Sequence, residues 1–454
     1  MLRVAVVGSG PSGCYTAQSL VRFAEQARVD VLDRLPCPYG LVRYGVAPDH
    51  EKIKSLQDTL RPVLEHERVR FLGGVPVGPG GVPAARLREL YHAVVYCVGA
   101  ATDRRLGVPG EDLPGSWSAT EFVSWYSAHP DAVDGGYVRG ARSVVVIGVG
   151  NVAVDVARML ARRPAELSGT DVPQAALEAL AAGRVADIHV VGRRGPSQAR
   201  FTTKELRELG SLPDTDVLVD PAEAALDPGY LDPSALPGPQ RRNVEVMRGW
   251  AEAAVSPTAP EAAEAARRIR LRFFLRPVEV LARAGRVGAV RFERTAPDGH
   301  GGVRGTGRYE EIEAQSVLRS VGYRGVPLKG LPFDAANGTV PHLAGRVTRE
   351  GLVVPGVYVA GWIKRGPTGV IGSNRPCAKE TVASLLSDTA VLLDRDLPGD
   401  PLAALRAEGV EPVEWTGWQA IERAEAALGA TLGRRVVKLP DWESLLAAVR
   451  AGGR

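Results

Sequence analysis

Residues 4–13, VAVVGSGPSG, limit the fold of this chain more than any other stretch. Four successive apolar residues predict a buried parallel strand, the glycines have the spacing G-x-G-x-x-G, and residues 15–24 predict a helix. In such a unit Gly8 permits the tight turn, Gly10 lets the backbone approach a phosphate, and Gly13 lets the helix pack close to the strand. A strand, a glycine turn and a helix in this order predict a cradle for a pyrophosphate.

A carboxylate follows the next predicted strand. Residues 29–34, VDVLDR, predict that strand, and Asp33 lies at its end. An acidic side chain roughly 20 residues after the glycines is placed to bind ribose hydroxyls, and it repels a 2′-phosphate. The first site is therefore expected to bind FAD or NAD, whose adenosine ribose lacks that phosphate.

The same signature returns in the middle of the chain. Residues 143–161, SVVVIGVGNVAVDVARMLA, again predict a strand, a turn and a helix, with Gly148, Gly150 and Ala153 in the spacing G-x-G-x-x-A. Two such motifs with the correct flanking elements are much more specific than one. The chain is therefore expected to hold two nucleotides.

The second motif has the opposite charge at its strand end. The matching strand, within residues 185–195, ends in Arg193 and Arg194 instead of an acid. Guanidinium groups at this position bind a 2′-phosphate bidentately. The contrast with Asp33 predicts FAD in the first site and NADP(H) in the second.

Several other segments are open to more than one interpretation. Prolines and glycines predict an ordered loop over residues 36–48, after which Asp49 is a plausible cap of a helix over residues 52–66. His50 at that helix start is either structural or part of an active site. Trp362, in a glycine-rich loop over 361–374, either lies beside a flavin or fills the core.

The remaining stretches indicate elements around these two motifs. Residues 270–282, 287–295 and 314–325 predict strands of an appended β-rich layer, and the Pro/Ala-rich residues 220–240 and 256–266 predict loops and exposed helix. A further helix carries a basic stretch, which is either a solvated face or a docking surface; its cations are Arg200, Lys204 and Arg207.

Composition limits the class of protein. A chain of 454 residues is expected to form two or three domains. No apolar stretch is long enough for a membrane span, no secretion signal is recognised, and a net charge of +4 does not indicate nucleic-acid binding. The 4 cysteines form no C-x-x-C pair, which predicts a cytoplasmic protein and argues against a dithiol-disulfide mechanism.

Five long strings together resemble the ferredoxin–NADP⁺ reductases of the adrenodoxin reductase type. They are GSGPSG, PYGLVRYGVAPDH, GxGNVAxDVAR, VGRRGPxQxxFTxxELRE and AGWIKRGPTGVIGSN, where x marks a position that is not part of the match, in the family's order and spacing along essentially the whole chain. The resemblance implies an α/β fold with two Rossmann-like nucleotide-binding domains, the NADP domain being inserted into a discontinuous FAD domain. The implied limits are 1–103 and 326–454 for the FAD domain and 104–325 for the NADP domain.

The resemblance also implies the site residues. Beyond the glycines, it implies FAD contacts at Ser12, Asp33, Leu41, Val77, Trp362, Gly369, Val370 and Ile371. It implies NADP contacts at Arg104, Val149, Gly150, Asn151, Val152, Arg193, Arg194, Glu205 and Gly369. His50 and Glu208 match a polar pair that family members place near the nicotinamide, so they are the predicted catalytic residues. Asp33 stands where Glu is common in the family, and Tyr39 stands where Trp is common.

The implied activity is that of an FAD-dependent, monomeric oxidoreductase. NADPH would transfer a hydride to FAD, and electrons would then pass one at a time to a ferredoxin-type iron–sulfur protein. The basic stretch would steer that acidic partner. A flavin monooxygenase, an NADPH diaphorase with another acceptor and a non-catalytic flavin redox sensor are the alternatives.

Overall fold

The computed structural model describes residues 1–255 and 267–453. The chain divides into two compact units. Unit 1 consists of Met1–Thr102, Ser127–Asp131 and Gly322–Arg454, and unit 2 of Asp103–Tyr126 and Ala132–Val321. The loop predicted over 256–266 lies outside the described residues. The assignment of 1–103 and 326–454 to FAD and of 104–325 to NADP stays a prediction.

Strands and helices alternate over much of the chain. The strands are β1 Leu2–Val7, β2 Ala27–Leu32, β3 Val69–Leu72, β4 Ala93–Tyr96, β5 Thr102–Asp103, β6 Ser116–Ser118, β7 Ser143–Ile147, β8 Asp187–Val191, β9 Thr215–Val219, β10 Arg267–Arg272, β11 Leu275–Arg283, β12 Arg286–Pro297, β13 Val303–Glu313, β14 Ser316–Arg319, β15 Tyr323–Arg324, β16 His342–Leu343, β17 Arg346–Arg349 and β18 Leu352–Val359. The helices are α1 Pro11–Phe23, α2 Leu41–Tyr44, α3 Glu51–Lys54, α4 Leu56–Leu64, α5 Ala84–Leu90, α6 Ala119–Tyr126, α7 Asn151–Ala161, α8 Pro164–Leu167, α9 Gln174–Ala182, α10 Thr203–Leu209, α11 Pro221–Ala224, α12 Pro228–Leu231, α13 Gly238–Val255, α14 Trp362–Arg365, α15 Asn374–Ser387, α16 Thr389–Leu393, α17 Pro401–Ala407, α18 Trp415–Thr431 and α19 Trp442–Gly452.

The core of unit 1 is a sheet in the order β16-β17-β18-β4-β1-β2-β3. The strands from β18 to β3 are parallel, and β16 and β17 form an antiparallel edge. Val4 and Val6 of β1 face one hydrophobic cluster, and Ala5 and Val7 face another, so both faces of the sheet are buried. Because β18 pairs with β4, a strand from the last part of the chain completes the sheet that the first part begins.

Unit 2 contains a parallel sheet in the order β6-β14-β7-β8-β10-β9 and an antiparallel meander of β11, β12 and β13. The meander packs Val290 and Phe292 against Val145 and Val317 of the parallel sheet. The buried Glu223 carboxylate also accepts hydrogen bonds from arginines at both layers and from a backbone N–H; the donors are Arg272 at 2.6 Å, Arg294 at 3.1 Å and Phe273 at 3.0 Å. A charge that is buried in this way is stable because several donors satisfy it.

Two local predictions near His50 are wrong. The loop over 36–48 contains the short helix α2, which the chain enters through Gly40 at φ 49°. The helix expected over 52–66 is two helices, α3 and α4, divided at Ser55, and His50 rather than Asp49 directly precedes the first of them. The local sequence pattern therefore predicted neither the short helix α2 nor the break at Ser55.

The predicted β-rich layer is also partly wrong. Residues 270–282 do not form one strand, because Phe274 at φ 58° separates β10 from β11. β10 and β14 belong to the parallel sheet, and β13 belongs to the meander although no strand was predicted there. An apolar strand does not reveal which sheet it joins, since the pairing partner is distant in sequence.

A buried ion pair joins the 36–48 loop to the C-terminal helices within unit 1. Arg43 donates to Glu425 at 2.5 Å, and both side chains are almost fully buried. The backbone N–H of Leu439 also donates to Glu425, at 3.0 Å, and the Lys438 ammonium donates to the Arg43 carbonyl. The Arg43 guanidinium lies 4.9 Å from the centre of the Trp418 ring. The C-terminal helices therefore hold this loop in place.

No helix in the described part of the chain is long and apolar enough to cross a membrane.

We expect Glu425→Gln to destabilise the protein by about 3–5 kcal/mol, because it leaves the Arg43 guanidinium buried without its countercharge. The change in the free energy of unfolding is measured from the urea unfolding transition, followed by circular dichroism. The control is Asp112→Asn, which removes the partner of Arg105 from an exposed pair and should leave the transition unchanged. Equal effects of the two variants would contradict the assigned role of the buried pair.

Candidate nucleotide-binding sites

Close backbone packing defines the glycine turn of unit 1. Gly8 has φ 105°, and a side chain there would come within 2.5 Å of the Cys97 carbonyl oxygen. A side chain on Gly13 would overlap the Gly8 carbonyl. Gly10 precedes α1, and among the described residues a side chain on it would meet just one atom within 4 Å, the Gly40 Cα at 3.8 Å. Gly8 and Gly13 are thus required for packing, whereas Gly10 leaves room at the helix start.

Asp33 lies beside this turn, one residue after β2. Its carboxylate accepts hydrogen bonds from the Ser9 N–H at 2.7 Å, the Ser9 hydroxyl at 2.5 Å and the Leu35 N–H at 2.9 Å. Burial raises the pKa of the Asp33 carboxyl, and the hydrogen bonds from Ser9 and Leu35 oppose that shift. The residue predicted to bind a ribose is therefore held directly against the glycine turn.

The 36–48 loop covers the same turn. The Tyr39 N–H donates to the Ser9 carbonyl at 3.0 Å, and Tyr39 has φ 79°, a conformation that costs a non-glycine residue energy. The next residues are Gly40, whose backbone lies against Gly10, and the half-buried Leu41. The predicted FAD contact Leu41 is thus placed near the turn by a strained segment.

A loop from the last part of the chain completes the site within unit 1. A side chain on Gly361 would overlap the Ser12 hydroxyl, so α1 and the start of α14 are in direct contact. The buried Ser12 hydroxyl has no nitrogen or oxygen partner, and the buried Trp362 indole N–H has no hydrogen-bond partner, among the described residues. Two polar atoms of this kind fit a site that a polar ligand completes.

Trp362 is half-buried beside a second aromatic residue. The centre of its ring lies 5.3 Å from the centre of the Tyr323 ring, and the two ring planes are inclined at 34°. The sequence interpretation missed Tyr323, although an aromatic residue shortly after β14 was a visible signal. The free indole N–H favours the position beside a ligand over the purely structural alternative.

The other predicted FAD contacts are open to solvent to different degrees. Gly369 is exposed, Val370 is 62% exposed, and Ile371 is half-buried against the core. Val77 is half-buried and forms an isolated bridge to Val82. The contact of these residues with FAD stays a prediction.

The glycine turn of unit 2 repeats the first. Gly148 has φ 139°, and a side chain there would overlap the Ser320 carbonyl oxygen. Gly150 precedes α7, and a side chain on it would meet no described atom within 4 Å. The turn is therefore closely packed at its strand end and open at the N-terminus of its helix, where an anion is stabilised.

The segment before α10 lies along this turn. The Val149 carbonyl accepts the Arg200 N–H at 2.8 Å, and the Asn151 side-chain oxygen accepts the Thr202 N–H at 2.7 Å. Val152, in the first turn of α7, is half-buried. Three of the predicted NADP contacts, at 149, 151 and 152, are thus gathered at the helix start together with Gly150.

Arg193 and Arg194 follow the carboxyl end of β8. Their backbone carbonyls accept hydrogen bonds from the Thr295 hydroxyl at 2.8 Å and the Phe274 N–H at 3.3 Å. Neither guanidinium forms an ion pair with a carboxylate in the described part of the chain. Burial, together with the positive charges of Arg200 and Arg193, lowers the pKa of Arg194. A cluster of cations without countercharge fits an anionic ligand.

Two glutamates of α10 differ in their surroundings. Glu205 is 9% exposed, and one of its buried carboxylate oxygens has no hydrogen-bond partner among the described residues. Glu208 lies 3.7 Å from the fully buried Arg158 and 3.7 Å from Lys204. Glu205 is thus open to a donor from a ligand, whereas cations balance the charge of Glu208.

The remaining predicted residues, His50 and Arg104, belong to different units. His50, in unit 1, is 8% exposed, and its N–H donates to the Ala47 carbonyl at 3.0 Å. Arg104, in unit 2, is exposed. Glu208 belongs to unit 2, so its predicted pairing with His50 stays a prediction.

Comparisons with known proteins show which family the chain resembles along nearly its whole length. A family model described as pyridine nucleotide-disulphide oxidoreductase matches residues 2–173. NADPH-ferredoxin reductase FprA of Mycobacterium leprae is 43% identical over 98% of this chain and 97% of its own length. The mitochondrial NADPH:adrenodoxin oxidoreductase of Arabidopsis thaliana is 38% identical over 98% and 95%. The structure of Mycobacterium tuberculosis FprA in complex with NADPH is 42% identical, covers 100% of both chains and gives a TM-score of 0.91. The predicted α/β fold is confirmed.

We expect Gly150→Ala to fold normally, because the added methyl group meets no described atom and the backbone is extended at φ −117°. The methyl group would nevertheless occupy the space of a pyrophosphate, so we expect the Michaelis constants for NADPH and NADH to rise at least about tenfold. Steady-state kinetics and the melting temperature measure the two effects. Gly148→Ala is the contrasting variant and should lose folding stability. Unchanged constants in Gly150→Ala would disprove a pyrophosphate site at this turn.

Proposed function

The chain belongs to the family of NADPH-ferredoxin and NADPH:adrenodoxin reductases, and we propose that it is an FAD-dependent enzyme that transfers electrons from NADPH to a ferredoxin-type iron–sulfur protein. The observation that carries the proposal is a pair of similar glycine turns with opposite charges beside them. Asp33 lies next to the first turn, and Arg193 and Arg194 follow β8 in the unit that contains the second. A carboxylate repels a 2′-phosphate and guanidinium groups bind one, so the two sites favour different nucleotides.

The residues of unit 1 would hold FAD. The open backbone at Gly10 would receive the pyrophosphate at the N-terminus of α1, and Asp33 would accept hydrogen bonds from the ribose. The Ser12 hydroxyl would gain an oxygen or nitrogen partner, and the Trp362 indole N–H would gain an acceptor. Bound FAD supplies the conversion of a two-electron hydride donation into single-electron deliveries.

The residues of unit 2 would bind NADPH. The N-terminus of α7 at Gly150 would receive the pyrophosphate, and Arg193 and Arg194 would bind the 2′-phosphate. The free carboxylate oxygen of Glu205 would accept a hydrogen bond from the coenzyme. The chain's contribution is to position the coenzyme, since the hydride chemistry belongs to the nicotinamide itself.

His50 and Glu208 are proposed to orient the nicotinamide carboxamide or to move a proton. The two cations at 3.7 Å keep the Glu208 carboxylate in a defined place on α10. The His50 backbone is fixed by its hydrogen bond to Ala47. Both roles rest on the resemblance to the family rather than on a contact in the structure.

The acceptor is proposed to be a small acidic iron–sulfur protein. Lys204 and Arg207 of α10 are exposed, and Arg200 is exposed just before that helix. Exposed cations on one short segment steer an acidic partner, an effect that salt weakens. The cytoplasmic location and the monomeric state stay predictions.

A dithiol mechanism does not fit the cysteines. Cys14, Cys37, Cys97 and Cys377 are all free and buried. Burial raises the pKa of the Cys37 thiol to about 11 and that of the Cys97 thiol to about 11, so neither is a reactive thiolate near neutral pH. Flavin-mediated transfer to an external acceptor therefore fits this chain better than disulfide reduction.

We expect the double variant Arg193→Gln/Arg194→Gln to raise the Michaelis constant for NADPH at least roughly tenfold, because it removes charge-assisted hydrogen bonds to the 2′-phosphate. The constant for NADH, which lacks that phosphate, should change little. Steady-state reduction of ferricyanide with each coenzyme measures both. An unchanged preference for NADPH would eliminate the phosphate assignment.

We expect the purified protein to be yellow with bound FAD, and added ferredoxin to stimulate its NADPH-dependent reduction of cytochrome c. The stimulation should decline as salt is added, because the steering is electrostatic. Protein that stays colourless after reconstitution with FAD would refute the first site. Activity with ferricyanide but no stimulation by ferredoxin would instead identify a diaphorase with another acceptor.

A further inference from the structure

Arg200 lies along the second glycine turn, although the sequence pattern grouped it with the basic helix face. Its N–H donates to the Val149 carbonyl at 2.8 Å, within the turn itself. Two residues later, the Thr202 N–H donates to the Asn151 side chain at 2.7 Å. These two hydrogen bonds attach the segment 200–202 to the start of α7, so the position of Arg200 relative to the turn is determined by the backbone.

The guanidinium groups of Arg193, Arg194 and Arg200 form a cluster without countercharge. None of them pairs with a carboxylate in the described ranges 1–255 and 267–453. Other arginines of unit 2 do, as with Arg272 and Glu223 at 2.6 Å and Arg319 and Glu111 at 3.1 Å. Burial lowers the pKa of Arg194, and the nearby positive charges of Arg200 and Arg193 lower it further.

Asp227 is a buried carboxylate close to this cluster, but other donors already occupy its oxygens. Asp227 packs against Gly195, directly after the arginine pair. Its oxygens accept the Ser197 N–H at 2.7 Å, the Ser197 hydroxyl at 2.9 Å and the Gly229 N–H at 3.0 Å. Asp227 therefore holds the backbone of the following turn, and the three guanidinium groups remain available to an external anion.

We propose that Arg200 binds the 2′-phosphate of NADPH together with Arg193 and Arg194 and thereby strengthens the discrimination against NADH. This inference rests on the proposed function, because it assumes that unit 2 binds a nicotinamide dinucleotide. A phosphate monoester has three terminal oxygens, so it accepts hydrogen bonds from more than one guanidinium group. Such an anion would also relieve the mutual repulsion of the three cations.

The test compares Arg200→Gln with Arg200→Lys and with a matched control. The control is Arg184→Gln, which removes the same charge from an exposed arginine. Arg184 precedes the amino end of β8, whereas Arg193 and Arg194 follow the carboxyl end of that strand. The readouts are the Michaelis constants for NADPH and NADH with ferricyanide, the Michaelis constant for ferredoxin, and calorimetric affinities for 2′-AMP and 5′-AMP.

We expect Arg200→Gln to raise the Michaelis constant for NADPH roughly 5- to 20-fold and to weaken 2′-AMP binding by a similar factor. The values for NADH and 5′-AMP should stay within about twofold, and the control should change none of the coenzyme or nucleotide values. Arg200→Lys should retain part of the affinity, because it keeps the charge and loses the planar fork.

Three results would overturn the inference. An equal rise in the Michaelis constants for NADPH and NADH would show that Arg200 binds the pyrophosphate instead. Unchanged coenzyme constants with a raised constant for ferredoxin would assign it to docking. No change in any readout would show that the Arg200 side chain is solvated and binds neither the coenzyme nor ferredoxin. If Arg193→Gln/Arg194→Gln also leaves the NADPH preference intact, the phosphate site of the proposed function itself fails.

Discussion

Close approach of backbone atoms at two strand-to-helix turns is the constraint on which the rest of the structure depends. In unit 1 the helix start at Gly13 touches the Gly8 carbonyl, and in unit 2 Gly148 touches the Ser320 carbonyl. A side chain on Gly13 would separate α1 from the turn after β1, and one on Gly148 would push the second turn away from the end of β14. With both turns packed in this way, the N-terminal ends of α1 and α7 present backbone N–H groups where an anion can be bound. Two elements with one geometry thus fit the two nucleotide sites of the proposed function.

One charge difference turns this common geometry into two different sites. The first turn is held by the Asp33 carboxylate through Ser9, whereas the unit of the second carries guanidinium groups at the end of β8. In the proposed function, electrostatics rather than shape therefore distinguishes a nucleotide with a 2′-phosphate from one without it. Burial and the positive charges of Arg200 and Arg193 lower the pKa of Arg194, and an anionic ligand would offset that cost.

Unit 1 depends on contacts between the two ends of the chain. The pairing of β4 with β18 and the contact of Ser12 with Gly361 join its first and last segments. The Arg43–Glu425 pair then fixes the 36–48 loop, whose Tyr39 is held in a left-handed conformation over the glycine turn. The C-terminal helices, which carry no motif of their own, therefore support the site indirectly.

The sequence by itself determined the two nucleotide-binding motifs and the charges beside them, because a strand, a glycine turn and the residue at a strand end are local features. It did not determine that the helix after His50 breaks at Ser55, that β10 joins the parallel sheet, or that Arg43 pairs with Glu425. Only the tertiary structure showed that Arg200 lies along the second glycine turn, where its N–H donates to Val149, 51 positions earlier in the chain. Such contacts depend on distant partners, and no local pattern encodes them.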